Sequence, residues 1–280
     1  MTNQLNITFK NLKRFSQKFN KKRTNKVFKN VNTKLNFNKI ITKSDYIQNK
    51  KRIFKNIIDV KTGPTDQKGS GRCWLFAFLN VMRIFMIKKY NLENFEFSQN
   101  YFMFCDKIEK SNYFLENILN TFDEAYDSRL MMYLLSSPIQ DGGQWDMFVN
   151  LIEKYGVLPQ SVMPESYQSS QSALMNRFIT RKLREFGWTL RDMNAKGAKL
   201  SELRKTKEEM LSTIYSMLCR CLGNPPETFS WQAKDKNKKL VQLNDLTPLD
   251  FYKQVGVKLK DKLCLIHAPM SNKKMNELYT

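Results

Sequence analysis

One histidine, His267, is all that 280 residues provide. The five cysteines, Cys73, Cys105, Cys219, Cys221 and Cys264, are an odd number spread without metal-ligand spacing, so neither a zinc site nor a disulfide framework is supported. No metal or other cofactor is expected. There is also no run of about 18 uncharged apolar residues to span a bilayer, and no early apolar core with a small-residue cleavage site. These absences predict an intracellular protein without a membrane-spanning segment. Acidic residues are nearly missing from the first part of the chain: up to residue 56 there are 16 Lys and Arg against Asp45 alone. The remainder carries 31 against 25, so +15 of the net +21 sits in that first stretch. Such a segment attracts phosphate backbones in a salt-dependent way, or is a solvated Lys/Asn-rich tail.

What is present is a composition that folds. Hydrophobic residues at 41% and aromatics at 12% suffice for a core, in one large domain or two. Residues 1–43 form a basic arm whose Phe9, Leu12, Phe15 and Phe19 spacing suits a weak amphipathic helix. Asp45 to Lys55 reads as a further helix.

The most informative stretch is Gln67-Lys68-Gly69-Ser70-Gly71-Arg72-Cys73-Trp74-Leu75-Phe76, which ends a loop and opens a long apolar helix. A cysteine in the first turn of a helix meets aligned N–H groups and the positive end of the macrodipole, which favour thiolate over thiol. Cys73 is therefore a candidate nucleophile. Arg72 adds a positive neighbour, Gly69 and Gly71 allow close backbone approach, and Gln67 can supply an amide donor to a developing oxyanion.

The glutamine six residues before the cysteine, the glycine two before it and the tryptophan after it resemble the nucleophile region of papain-like cysteine peptidases. The longer run Gln67–Trp74 resembles more narrowly the bleomycin hydrolase (aminopeptidase C) branch, which is cytosolic. Secreted papain-like enzymes carry a disulfide cysteine three residues before the nucleophile, where this chain has Ser70. That fits a reducing, cytoplasmic location.

Downstream, the apolar positions from Trp74 to Tyr90 surround nearly the whole helix, which predicts burial on all sides. Phe95 to Asp106 reads as a helix capped by Ser98. In Asp141-Gly142-Gly143-Gln144-Trp145, two adjacent glycines permit close approach of an extended backbone. Taken alone they are a turn; beside the cysteine motif they resemble the glycine pair that binds substrate backbone, which assigns Gly142 and Gly143 that role. Phe148–Tyr155 reads as a helix stopped by Gly156. Roughly Ser172 to Gly187 and Lys199 to Leu222 are strongly helical text, with the segment between them left open, and read as a hairpin standing off the catalytic lobe. Leu222-Gly223-Asn224-Pro225-Pro226-Glu227-Thr228-Phe229-Ser230-Trp231 and Thr247-Pro248-Leu249-Asp250-Phe251-Tyr252 extend the resemblance, which covers roughly residues 44 to 280.

The resemblance implies an α+β, papain-like fold: the arm at 1–43, the helical lobe with the nucleophile helix at 44–165, a helical insertion at 166–260, and the start of the C-terminal region at 261–280, with the β-rich lobe largely missing. It implies peptide substrates, aminopeptidase-type hydrolysis and a homohexamer. A thiolate nucleophile of this type works with a histidine that protonates the leaving amine, oriented by an asparagine. No Asn-Ser-Trp motif is present, and His267 follows the apolar run Leu263–Ile266, so it reads as a strand-end residue. The expectation is an incomplete peptidase whose 280 residues are inactive alone. Two alternatives remain: a catalytically inactive binding module, which would need polar replacements where the missing lobe packs, or a nucleic-acid binder acting through the arm.

Overall fold

The computed structural model describes residues 6–43, 45, 48, 53–58, 60, 62–259, 272, 274 and 277. Two compact units result, residues 1–59 and residues 60–280. The helix expected over Asp45–Lys55 lies largely outside the described residues, and His267 and Cys264 lie wholly outside them.

In the first unit, α1 (Phe9–Lys21), α2 (Arg23–Asn32) and α3 (Phe37–Ile41) bury none of their residues. Thr8 caps α1 by accepting from the Asn11 N–H, while the Asn11 side chain accepts from the Thr8 N–H. Phe9, Leu12, Phe15 and Phe19 are exposed.

The second unit is built on α4 (Cys73–Lys89), α5 (Gln99–Leu119) and α7 (Trp145–Tyr155), each packed on the other two. Helix α5 starts where Ser98 accepts from the Tyr101 N–H and runs past Asp106 to Leu119, because Phe114, Leu115, Ile118 and Leu119 continue its buried stripe. Short α6 (Arg129–Ser136) follows. Gly156, at φ 71°, stops α7.

Helix α4 departs from the sequence expectation. Trp74, Leu75, Phe76, Leu79, Met82, Met86 and Ile87 are buried, but Val81 is 59% and Phe85 41% exposed, leaving an apolar stripe uncovered among the described residues. Arg83 is buried despite its charge. Its guanidinium donates to Thr62 Oγ1 and the Gly63 carbonyl, both at 2.7 Å, and Glu96 lies 3.8 Å away. Burial lowers its pKa and Glu96 opposes that.

Beyond short α8 (Tyr167–Ser170), α9 (Ala173–Ala195) and α10 (Leu200–Leu222) form the expected hairpin. It does not stand off. Met175, Ile179, Leu183, Phe186 and Leu190 of α9, with Leu203, Met210, Ile214, Leu218 and Leu222 of α10, recur at helical spacing, and both helices lie along α5 in one continuous core. Strands β1 (Phe229–Lys234) and β2 (Leu240–Leu246) form a two-stranded antiparallel sheet, bulged between Phe229 and Trp231. Phe229 and Trp231 pack on Phe251 of α11 (Pro248–Val255) with ring centroids 5.5 and 6.0 Å apart. The architecture is α+β and mainly helical.

Candidate active site

The chain reaches the site along α4. Arg83 fixes residues 62 and 63, and Asn80 Nδ2 donates to Thr65 Oγ1 at 2.7 Å. The loop that follows is closed by its own side chains. Asp66 Oδ1 accepts from the Lys68 N–H at 2.8 Å, an Asx turn that carries Lys68 into the left-handed region at φ 51°. The Asp66 carboxylate thus shapes the turn. Ser70 Oγ donates to the Gln67 carbonyl at 2.7 Å and accepts from Arg72 Nε at 2.8 Å. Gln67 Oε1 is buried and has no hydrogen-bond partner among the described residues.

Arg72 has a different role from the one its sequence position suggests. Its side chain is buried and forms a fork-to-fork pair with Glu165, at 2.9 and 2.7 Å, and its guanidinium stacks 5.1 Å from the Phe76 ring centroid. The charge is spent on a partner 93 residues away. The expected positive neighbour for the thiol is a structural ion pair.

Cys73 is the first residue of α4 and is exposed, while Trp74 and Leu75 directly after it are buried. The N-cap residue, Arg72, makes no side-chain cap hydrogen bond, and among the described residues no side chain accepts from the first N–H groups of α4. The other described cysteines differ: Cys105 is buried, and burial pushes its thiol well above the ordinary range.

The Gly142–Gly143 segment lies against Trp74. Trp74 Nε1 donates to the Asp141 carbonyl at 2.7 Å, and a Cβ at Gly143 would fall 2.5 Å from the indole ring. A Cβ at Gly142 would meet nothing within 4 Å. The two glycines are also unlike in their backbones. The Gly142 carbonyl accepts from Lys110 Nζ at 2.7 Å, whereas among the described residues neither the N–H nor the C=O of Gly143 has a partner. Gly143 thus has both backbone groups without a partner among the described residues, and Gly142 only its N–H.

Beneath this segment is a charged cluster with no local signature in the sequence. Asp141 Oδ1 accepts from Lys107 Nζ at 2.5 Å and Asn176 Nδ2 at 2.8 Å; Oδ2 accepts from Ser172 Oγ at 2.9 Å and the Gly71 N–H at 3.4 Å. Burial would raise this carboxyl, but Lys107 and the hydrogen bonds from Asn176 and Ser172 outweigh it and hold it at about 2, against an ordinary 3.8. Lys110 also donates to Asp106 and the Gln140 carbonyl and sits 5.5 Å from the Trp74 ring centroid. Burial lowers its pKa and raises that of Asp106, each opposed by the other's charge.

A cavity of about 780 Å³ opens beside Gly142, Gly143 and Gln144, between α5, α6 and α7. Tyr113, Phe114, Tyr133 and Leu134 are among its lining residues; Cys73 and Gln67 are not. Among the described residues no group of three or more His, Cys, Asp and Glu side chains is arranged to hold a metal ion, and no helix is long and apolar enough to cross a membrane.

Comparison with known proteins gives this geometry a family. The Peptidase C1-like family profile matches residues 6–280, so the similarity begins within the arm, well before residue 44. Bleomycin hydrolase of Oryctolagus cuniculus is 43% identical over 258 residues, covering 90% of this chain and 93% of that sequence. Bleomycin hydrolase of Homo sapiens is also 43% identical over 258 residues, but those are 56% of its length. Aminopeptidase C of Listeria monocytogenes is 46% identical over 217 residues, 77% of this chain and 48% of that one. The chain thus spans about half the length of the latter two relatives. The crystal structure of PepW from Lactobacillus rhamnosis HN001 superposes with a TM-score of 0.90 at 39% identity, over 97% of this chain and 61% of its own. Motif, fold and whole-chain similarity agree, and the chain belongs to the Peptidase C1-like family, in its bleomycin hydrolase and aminopeptidase C branch.

Proposed function

We propose that this is the nucleophile half of an aminopeptidase-type cysteine peptidase site acting on peptide or amide bonds. Cys73 attacks the carbonyl, Gln67 and the uncapped start of α4 stabilise the oxyanion, and Gly143 pairs with an extended substrate while Gly142 remains anchored by Lys110. One observation carries the reading: an exposed cysteine opens a helix whose next residue, Trp74, packs on Gly143 and bonds the Asp141 carbonyl, which brings the glycine pair to the start of that helix. The binding-module alternative calls for polar replacements on the face that would pack against the family's β-rich lobe; the uncovered stripe of α4 carries Val81 and Phe85.

Peptide hydrolysis also needs an acid for the leaving amine, and His267 after an apolar run is a poor candidate. The 280 residues by themselves are therefore predicted not to turn over. With fluorogenic aminoacyl amides, wild type and Cys73→Ala should both stay at background. Hydrolysis lost in Cys73→Ala would show that these residues supply their own acid; hydrolysis retained in Cys73→Ala would overturn the nucleophile assignment. A hexameric assembly and a cytoplasmic location belong to the same proposal through family resemblance.

A second reading concerns the arm alone. Its exposed helices present Lys and Arg with no acidic residue before Asp45, which suits nucleic-acid binding. Deleting residues 1–43 should then abolish DNA affinity and its salt dependence; unchanged binding would reject the arm as the contact.

A further inference from the structure

We infer that the root of the helical hairpin, Glu165 to Asn176, is a positioning clamp on the nucleophile loop, with Asp141 as its central residue. The inference rests on the reading of Gln67 and Cys73 as one site. Both must be held in register by the five residues between them, and a misplacement of roughly 1 Å in such a constellation costs on the order of 10²-fold in rate.

The root reaches that loop at three points. Glu165 takes Arg72, the residue before the nucleophile, in the bidentate pair, and Ser169 Oγ donates to the same carboxylate at 2.7 Å. Gln171 forms a parallel bridge with Gly69, and the Ser172 N–H donates to the Gly69 carbonyl at 3.4 Å. Ser172 and Asn176 then hold Asp141, whose other oxygen contacts are Lys107 and the Gly71 N–H. Gly71 has no room for a side chain: a Cβ there would stand 2.6 Å from Asp141 Cβ. Through its carbonyl, Asp141 also fixes Trp74. Positions 69, 71, 72 and 74 are thus all tied to the root, directly or through Asp141. The contacts above engage these side chains with one another and with the loop, so they act as positioning residues. The hairpin accordingly has a use in the site beyond covering α5.

Two variants test this on the full chain: Asp141→Asn, and the double substitution Ser172→Ala with Asn176→Ala, which removes two neutral donors and leaves no buried charge unpaired. The readouts are amide hydrogen exchange over residues 67–73 and the ratio of Cys73 alkylation rates by a peptidyl chloromethyl ketone and by iodoacetamide. The first reagent needs the peptide aligned on the loop, and the second needs only the thiol. The double variant should keep its thermal midpoint within a few degrees, while exchange over 67–73 rises and the ratio falls, each roughly tenfold. Exchange and ratio as in wild type would overturn the clamp. A change only in proportion to a fall in global stability would also overturn it. If Asp141→Asn fails to fold because Lys107 is left unpaired, the double variant still decides. If wild-type Cys73 does not react with the peptidyl reagent, the peptidase reading fails, and the exchange data still decide the clamp.

Discussion

Replacing Gly143 by alanine places a Cβ 2.5 Å from two atoms of the Trp74 indole. That is roughly 1 Å inside the separation at which carbon atoms attract. Trp74 cannot yield easily: it is 6% exposed, and its Nε1 is bonded to the Asp141 carbonyl. Either that bond or the course of residues 141–144 must shift, an overpacking penalty of about 2 kcal/mol. For a folded unit of this size the thermal midpoint should fall by roughly 4–8 °C. Neither glycine has a positive φ, so alanine meets no left-handed penalty at either position, and the small unfolded-state entropy it removes is the same for both variants. Gly142→Ala is the internal control: its Cβ faces open space, and the change should stay within about 0.5 kcal/mol of wild type. Urea denaturation of the two variants side by side measures the difference. Equal effects, or an unperturbed Gly143→Ala, would refute the claim that Gly143 is a glycine because Trp74 occupies the space of its side chain.

Asp141 supplies a prediction in acid. Its carboxyl is depressed to about 2 in the folded chain against about 3.9 unfolded, so the ionised form stabilises the fold above the unfolded value. That contribution, roughly 2 kcal/mol at neutral pH, is lost as pH falls from about 4 through 2. Asp141→Asn should be less stable at pH 7 and show a shallower loss across that window in urea titrations; parallel curves would reject the assignment. Lys68, held at φ 51° by the Asp66 turn, should be improved by Lys68→Gly, which removes a left-handed cost of about 1 kcal/mol. A destabilised Lys68→Gly in thermal melts would mean that the Lys68 side chain contributes more than the strain costs.

The parts legible in the sequence were those set by near neighbours. The helix start at Cys73, the Ser98 cap and the Gly156 stop each follow from a few consecutive residues, and all three stand where they were expected. Long-range partners were not legible. Arg72 read as an electrostatic aid to the thiol because nothing nearby competes for it, and only the fold brings up Glu165. Asp141 is illegible for the same reason: the donors that define it lie in α5, α9 and the nucleophile loop, far from the Asp-Gly-Gly run in sequence. The glycine pair was legible as a pair but not as two unlike residues, since that depends on where the Trp74 ring and Lys110 lie. Helix α4 shows the converse limit. Its composition indicates burial all round, but composition does not say which partner covers Val81 and Phe85.

The central claim is that Cys73 is the nucleophile of a peptide-binding site. The most direct test treats the chain with about one equivalent of a peptidyl vinyl sulfone and locates the adduct by peptide mass mapping. A single adduct on Cys73, absent from Cys73→Ser and slowed in Gly143→Ala, is the predicted result. Modification of Cys219 or Cys221 as fast as Cys73 would contradict the account.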